Sequence, residues 1–195
     1  MTWEKPDIIN LASERVAFGP LREDLVSVYS AWRNDFWMQR TWGNPIRPRT
    51  LEQQQAALQN AMDDDDTVRF TIYRHDTWQP IGLINLQNLD LEHQSAELGI
   101  GIGAADLRGK GYGTEACRLM LFYAFRLLNL HSVYLTYDGA NPGARAYANA
   151  GFKPVGVYRE AVLVDAKRYD LIHMDCLASE FAPPAVLHWG APPEE

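Results

Sequence analysis

The sequence predicts a mixed α/β fold: a mostly antiparallel central sheet flanked by helices, with one parallel strand pair. Three observations carry that prediction. Several runs alternate apolar and polar residues and are separated by turns too short for a crossover, which implies antiparallel pairing. The strand–helix–strand unit over residues 95–138 needs a crossover, hence a parallel pair. And "RGKGYGTEA" (108–116) spends glycines at 109, 111 and 113 at the mouth of a helix, where each costs backbone entropy.

The elements follow in chain order. "ERVAFGPL" (14–21) alternates as a strand, and "REDLVSVYSAWRND" (22–35) places Leu25, Val26, Val28, Tyr29 and Trp32 at helical spacing. "FWMQRTWGNPIRPRT" (36–50) mixes aromatics, proline and arginine and reads as irregular. Thr50 and Gln53 have capping-box spacing ahead of a helix, "LEQQQAALQNAM", which ends in the run Asp63–Asp66. "TVRFTIYRH" (67–75) and "PIGLINLQNL" (80–89) form a hairpin across "DTWQ", and "SAELGIGIG" (95–103) is a third strand. A helix over 113–129, a strand over 131–138 and a short helix in "NPGARAYANAGF" (141–152), capped by Gly151, come next. "VGVYREAVLV" and "KRYDLIHMDCL" flank "DA" as a final hairpin. Residues 1–180 read as one domain and 181–195, with four prolines, as an extended tail.

Composition narrows the function. With 195 residues, 47% hydrophobic and 11% aromatic, the chain can bury a proper core. A net charge of −7 argues against a general nucleic-acid binder, which presents a basic face. Only two cysteines are present, Cys117 and Cys176, far apart in patterns that look like a helix and a strand, and no disulfide framework or zinc spacing can be made from them. No basic and apolar leader opens the chain, and no run approaches the ~20 apolar residues of a membrane span. The expectation is a soluble, reduced, cytoplasmic protein with no metal, no nucleic-acid partner and no membrane partner.

The glycine run suits close approach of a backbone to an anion, because a helix N-terminus presents unpaired N–H groups and a positive dipole. A tight turn alone would also use glycine. A Walker loop fails, since Ala104 stands where its first glycine belongs and Gly111 where its hydroxyl residue belongs. Gly111-Tyr112-Gly113-Thr114-Glu115-Ala116 formally matches a dinucleotide fingerprint, with Asp138 as the ribose acid. However, "AADLRGK" separates this loop from its strand, and the hairpins on either side do not build a doubly wound sheet.

Arg108-x-x-Gly111-x-Gly113, between "AELGIGI" and "GTEACRLMLFYAF" and followed by "NPGARAYANAGF", resembles the signature of the GNAT acetyltransferase superfamily. The similarity spans roughly residues 10–178 and is greatest to the branch of ribosomal-protein and spermidine N-acetyltransferases. It implies the GNAT fold, with the parallel strands splayed at an acetyl-CoA site. It implies that Gly109, Lys110, Gly111, Tyr112, Gly113 and Thr114 hold the pyrophosphate, with Arg108 as anchor. Leu98, Gly99, Ile100, Gly101 and Ile102 would lie along the pantetheine arm, and Asn141 near the cofactor or a bridging water; helix capping is an equal role for Asn141.

The resemblance also implies chemistry. Tyr147 occupies the general acid's place, where a phenol can protonate a departing thiolate; packing on the sheet is its other reading. Glu97 opens the strand beside the thioester and could act as base, or serve only an edge-strand ion pair. His93 and His173 compete for that role. Trp32, Phe36, Trp37 and Trp42 could cage an acceptor's cationic or planar group, or form core under an irregular loop. Neither cysteine matches a nucleophile position. The implied activity is direct acetyl transfer from acetyl-CoA to a primary amine: a protein N-terminus, a polyamine or an amino-bearing small molecule. A non-catalytic acyl-CoA sensor is the alternative, and monomer and homodimer stay open.

Overall fold

The computed structural model describes residues 3–41, 46–186 and 188–189. Among these, eight strands form one sheet in the order β1-β2-β3-β4-β5-β6-β8-β7. They are β1 (Leu11–Ala12), β2 (Val16–Gly19), β3 (Val68–Arg74), β4 (Pro80–Asp90), β5 (Ser95–Ile102), β6 (Ser132–Asp138), β7 (Lys153–Val164) and β8 (Lys167–Leu177). Every pairing is antiparallel except β5 with β6. The helices are α1 (Val26–Arg33), α2 (Phe36–Thr41), α3 (Leu51–Met62), α4 (Tyr112–Phe122) and α5 (Ala144–Ala150).

Local chemistry sets the element ends. The Thr50 hydroxyl accepts from the Gln53 N–H while the Gln53 side chain accepts from the Thr50 N–H, so the capping box at α3 is complete. The β7–β8 hairpin turns on Asp165 and Ala166, both at positive φ of 50° and 61°, as a two-residue primed turn requires. Gly151 takes φ +113° and closes α5.

Two segments depart from expectation. Phe36–Thr41, expected to be irregular, is a helix because the Asp35 carboxylate accepts from the N–H of Trp37 (3.0 Å) and Met38 (3.4 Å) and caps it. The helix expected over 113–129 is α-helical only to Phe122; Tyr123–Leu127 then widens into a π-turn, with Leu128 N–H donating to Tyr123 C=O.

The sheet separates two apolar clusters. On one face α4 buries Ala116, Cys117, Leu119, Met120 and Leu121 against Phe18, Phe70, Ile84, Leu98 and Val133. On the other, Tyr29, Trp32, Met38 and Leu58 from the first three helices cover Ala17 and Tyr73. Residues beyond Leu177 return along this body: Phe181 stacks edge-on with Phe125 at 5.3 Å, and His188 exchanges backbone bonds with Ala12. Thr50→Ala is expected to lower unfolding free energy by roughly 1 kcal/mol, measured by urea denaturation.

Candidate functional site

The parallel ladder between β5 and β6 is short. Ser95, Ala96 and Glu97 pair with Ser132, Val133 and Tyr134, and there the pairing stops. Leu98–Ile102 continue only with β4, and Leu135–Asp138 only with β8. One edge of β5 therefore faces no strand. A pocket of about 640 Å³ opens in the gap, walled by Ile100, Gly101 and Ile102, the glycine loop, the first turns of α4, the α5 segment and α2.

The loop's shape follows from two of its glycines. Gly109 (φ +71°) and Gly111 (φ +88°) are left-handed, while Gly113 is not. An L side chain in that conformation costs roughly 1–2 kcal/mol. Gly111 is the N-cap of α4 and supplies no side-chain acceptor, so the helix's first amides remain available at the pocket wall formed by Gly111, Gly113 and Thr114. The loop is braced from behind. Arg15 Nη2 donates to the Lys110 C=O at 2.9 Å, its guanidinium lies 4.4 Å from the Tyr112 ring, and Glu115 accepts from Ser13 Oγ and Arg15 N–H. Tyr112 is thereby buried and Lys110 points to solvent; neither side chain lines the pocket.

Arg108 ties the loop to its surroundings. Its Nε donates to the Ile102 C=O (2.9 Å), and its Nη2 to the Gly103 C=O (3.0 Å) and to Asp35 Oδ2 (2.7 Å). The same guanidinium lies over the Trp37 ring at 4.1 Å. Burial works to raise the Asp35 pKa, but Arg108's hydrogen bond and charge outweigh it and hold the carboxyl below its usual range. A second tie crosses the cleft: Arg40 of α2 pairs with Asp165 at 2.6 Å, and Asn141 Nδ2 donates to the Thr41 C=O.

Tyr147 stands on α5 at the pocket wall, 5.5 Å from the Tyr137 ring. Burial, reinforced by Cys117 and Tyr137, pushes its phenol well above the ordinary value, against an opposing hydrogen bond from Asn141. It is a proton donor at any physiological pH. Asn141 Oδ1 also accepts from the Gly143 N–H at 2.7 Å, fixing the turn into α5. Cys117 lines the pocket too, and burial pushes its thiol up to about 12. It is a thiol there, not a thiolate nucleophile.

The other expected residues disperse. Leu98 is buried beneath the sheet, and Gly99 faces the opposite side, against Asn85. Glu97 lies outside the pocket lining, its carboxylate accepting from Gln87 Nε2 (3.1 Å) and Asn88 Nδ2 (2.9 Å). Among the described residues the expected aromatics do not form a cage. Trp32 is core, so close under Gly103 that a Cβ there would meet its ring at 2.2 Å. Phe36 is exposed, Trp37 does line the pocket and carries Arg108 over its ring, and Trp42 lies outside the described residues. His93 sits in the exposed β4–β5 turn and His173 beneath Tyr158 on β8, both away from the pocket. Sequence reasoning missed Arg15, Asp35, Thr41, Cys117 and Arg145, which join the site only through the fold.

A sheet parted between two parallel strands, with a glycine-entered helix in the gap, is one architecture with a known family behind it. Residues 15–153 match the acetyltransferase (GNAT) domain, and the chain belongs to that family. It is 34% identical over 102 residues to the spermidine N(1)-acetyltransferase of Vibrio cholerae, covering 52% of this chain and 58% of that one. It is 29% identical over 169 residues to the human alpha/beta-tubulin-N-acetyltransferase 9, covering 78% and 81%. The chain spans little more than half the length of the V. cholerae relative and of another it matches, the putative ribosomal N-acetyltransferase YdaF of Bacillus subtilis. Among solved structures, a V. cholerae spermidine N-acetyltransferase in complex with CoA and spermine superposes with TM-score 0.78 at 24% identity, covering 87% and 99% of the two chains.

A carboxyl depressed in the folded state stabilises the fold above its ordinary value near 4 and loses that effect as pH falls through its lower folded value. Asp35→Asn is therefore expected to cost roughly 1–3 kcal/mol at pH 7. Denaturation curves at stepped pH should show the gap from wild type closing below about pH 4.

Proposed function

We propose that this chain is an acetyl-CoA-dependent N-acetyltransferase that transfers acetyl directly to a primary amine in a ternary complex. The observation that carries the reading is one pocket bringing together an unpaired strand edge, the N-terminus of α4 and the Tyr147 phenol. The donor supplies an activated acetyl thioester. Its pyrophosphate fits the backbone of Gly109–Thr114, where a diphosphate meets N–H groups and the helix dipole. The free edge of Ile100–Ile102 offers peptide groups to the pantetheine amides.

Tyr147 gives its proton to the departing sulfur as the carbon–nitrogen bond forms and the carbon–sulfur bond breaks, and the proton that the new amide nitrogen sheds returns to the phenolate through water. Its raised pKa keeps that proton in place until then. Among the described residues, no Asp, Glu or His lines this pocket. The amine therefore loses its proton to water, or enters already neutral. The same observation favours a second reading, a binding module for acyl-CoA without turnover. We place the protein in the cytoplasm as a single domain through residue 180.

Calorimetric titration with acetyl-CoA tests the reading. Saturable binding is expected, abolished in Gly111→Asp, where a carboxylate replaces a left-handed glycine at the anion site. Binding indifferent to that change would remove the reading's basis. Tyr147→Phe is expected to retain binding and lose about 10²-fold in kcat; an unchanged kcat would reassign the phenol to packing. With water as base, kcat/KM should rise with pH up to the acceptor amine's own pKa, about 10 for an alkylamine and about 8 for a peptide N-terminus. An earlier plateau would reveal a protein base.

A further inference from the structure

We infer that Arg145 binds the 3′-phosphate on the donor's adenosine ribose, so that the cleft selects CoA over its dephosphorylated form. The inference rests on the acetyl-CoA reading above and adds a specificity-determining residue to it. Arg145 and Asn149 stand one turn apart on the same face of α5, and both line the cleft. Both are exposed, as Gly109 and Gly111 are on the loop, whereas Leu107 and Cys117 are buried in the same lining. The loop and this face of α5 therefore form the mouth of the cleft.

Charge accounting singles out Arg145. The donor carries two anionic groups: a diphosphate and, on the ribose, a phosphomonoester that is close to dianionic at neutral pH. The diphosphate is met by loop N–H groups and the dipole of α4, which need no side-chain cation. The described lining holds two cations, and Arg108 is already committed. It donates to Ile102, Gly103 and Asp35 and rests on the Trp37 ring. Arg145 has no hydrogen-bond or ion-pair partner among the described residues, and no Asp or Glu among them lines the cleft to neutralise it. An unpaired guanidinium presents a planar fork that binds a phosphate through two N–H groups at once. Asn149 is equally without a partner among the described residues, and its amide N–H completes the phosphate's shell. In a chain of net charge −7, a cation at the mouth also offsets the repulsion that a polyanionic donor meets on approach.

The probes are CoA and 3′-dephospho-CoA, which differ by that phosphate alone. Calorimetric titration of the full chain is expected to show CoA binding about tenfold tighter or more, the worth of one charge-assisted pair. Arg145→Gln should bring CoA down to the affinity of dephospho-CoA and leave dephospho-CoA where it was. Arg145→Lys should keep part of the preference, and the wild type's preference should shrink as salt is raised. Equal affinities in the wild type overturn the inference. So does an Arg145→Gln variant that weakens both ligands alike, or one that keeps the full preference.

Gly111→Asp and thiol release separate this claim from the reading beneath it. If both ligands bind equally and Gly111→Asp abolishes both, the donor site stands and the role of Arg145 falls. If CoA is preferred through Arg145 but acetyl-CoA yields no thiol with a panel of primary amines, that role stands and catalysis falls. If neither ligand binds, both fall.

Discussion

The structure is organised by an unfinished strand pairing. β5 and β6 hold together through three residue pairs and then part, each kept in place by its other neighbour. Parting two central strands leaves backbone donors and acceptors without sheet partners, and an unsatisfied buried group costs roughly 1–3 kcal/mol. That cost is tolerable where a ligand with peptide-like groups completes the edge. The pocket, the loop above it and the orientation of α5 all follow from this local failure to pair.

The two apolar clusters explain how the sheet survives being split. α4 packs across one face from Phe18 on β2 to Val133 on β6, so its buried side reaches both halves of the sheet. The first three helices cover the other face with a separate cluster centred on Tyr29, Trp32 and Leu58. Residue 103 joins the two requirements. A glycine there lets Trp32 pack directly against the end of β5, while its carbonyl accepts from Arg108.

Much of this was legible in the sequence, for identifiable reasons. Turn chemistry and period-two alternation are local, so the hairpins, the Thr50–Gln53 box and the Gly151 cap could be read directly. The glycine loop was legible because left-handed backbone at 109 and 111 leaves little choice of residue. What stayed hidden depended on distant partners. Asp35 caps α2 and pairs with Arg108 across 73 residues, a double role no window reveals. Trp32 and Trp37 look alike in sequence, yet one is core and the other a platform for a guanidinium. Glu97 faced the wrong way because its place in the ladder put it opposite Gln87, on the face of β5 away from α4.

Helix α2 has six residues, and its three ties run in two directions. Asp35 joins it to Arg108 and so to β5; Arg40 and Thr41 join it to the β7–β8 turn and to Asn141. It thus staples the two halves of the split sheet across their open end. Widening the cleft would break charged and neutral links together, so the gap keeps its width before anything enters it. A molecule entering the cleft meets a binding surface whose ordering entropy was already settled during folding, and its affinity is spared that loss.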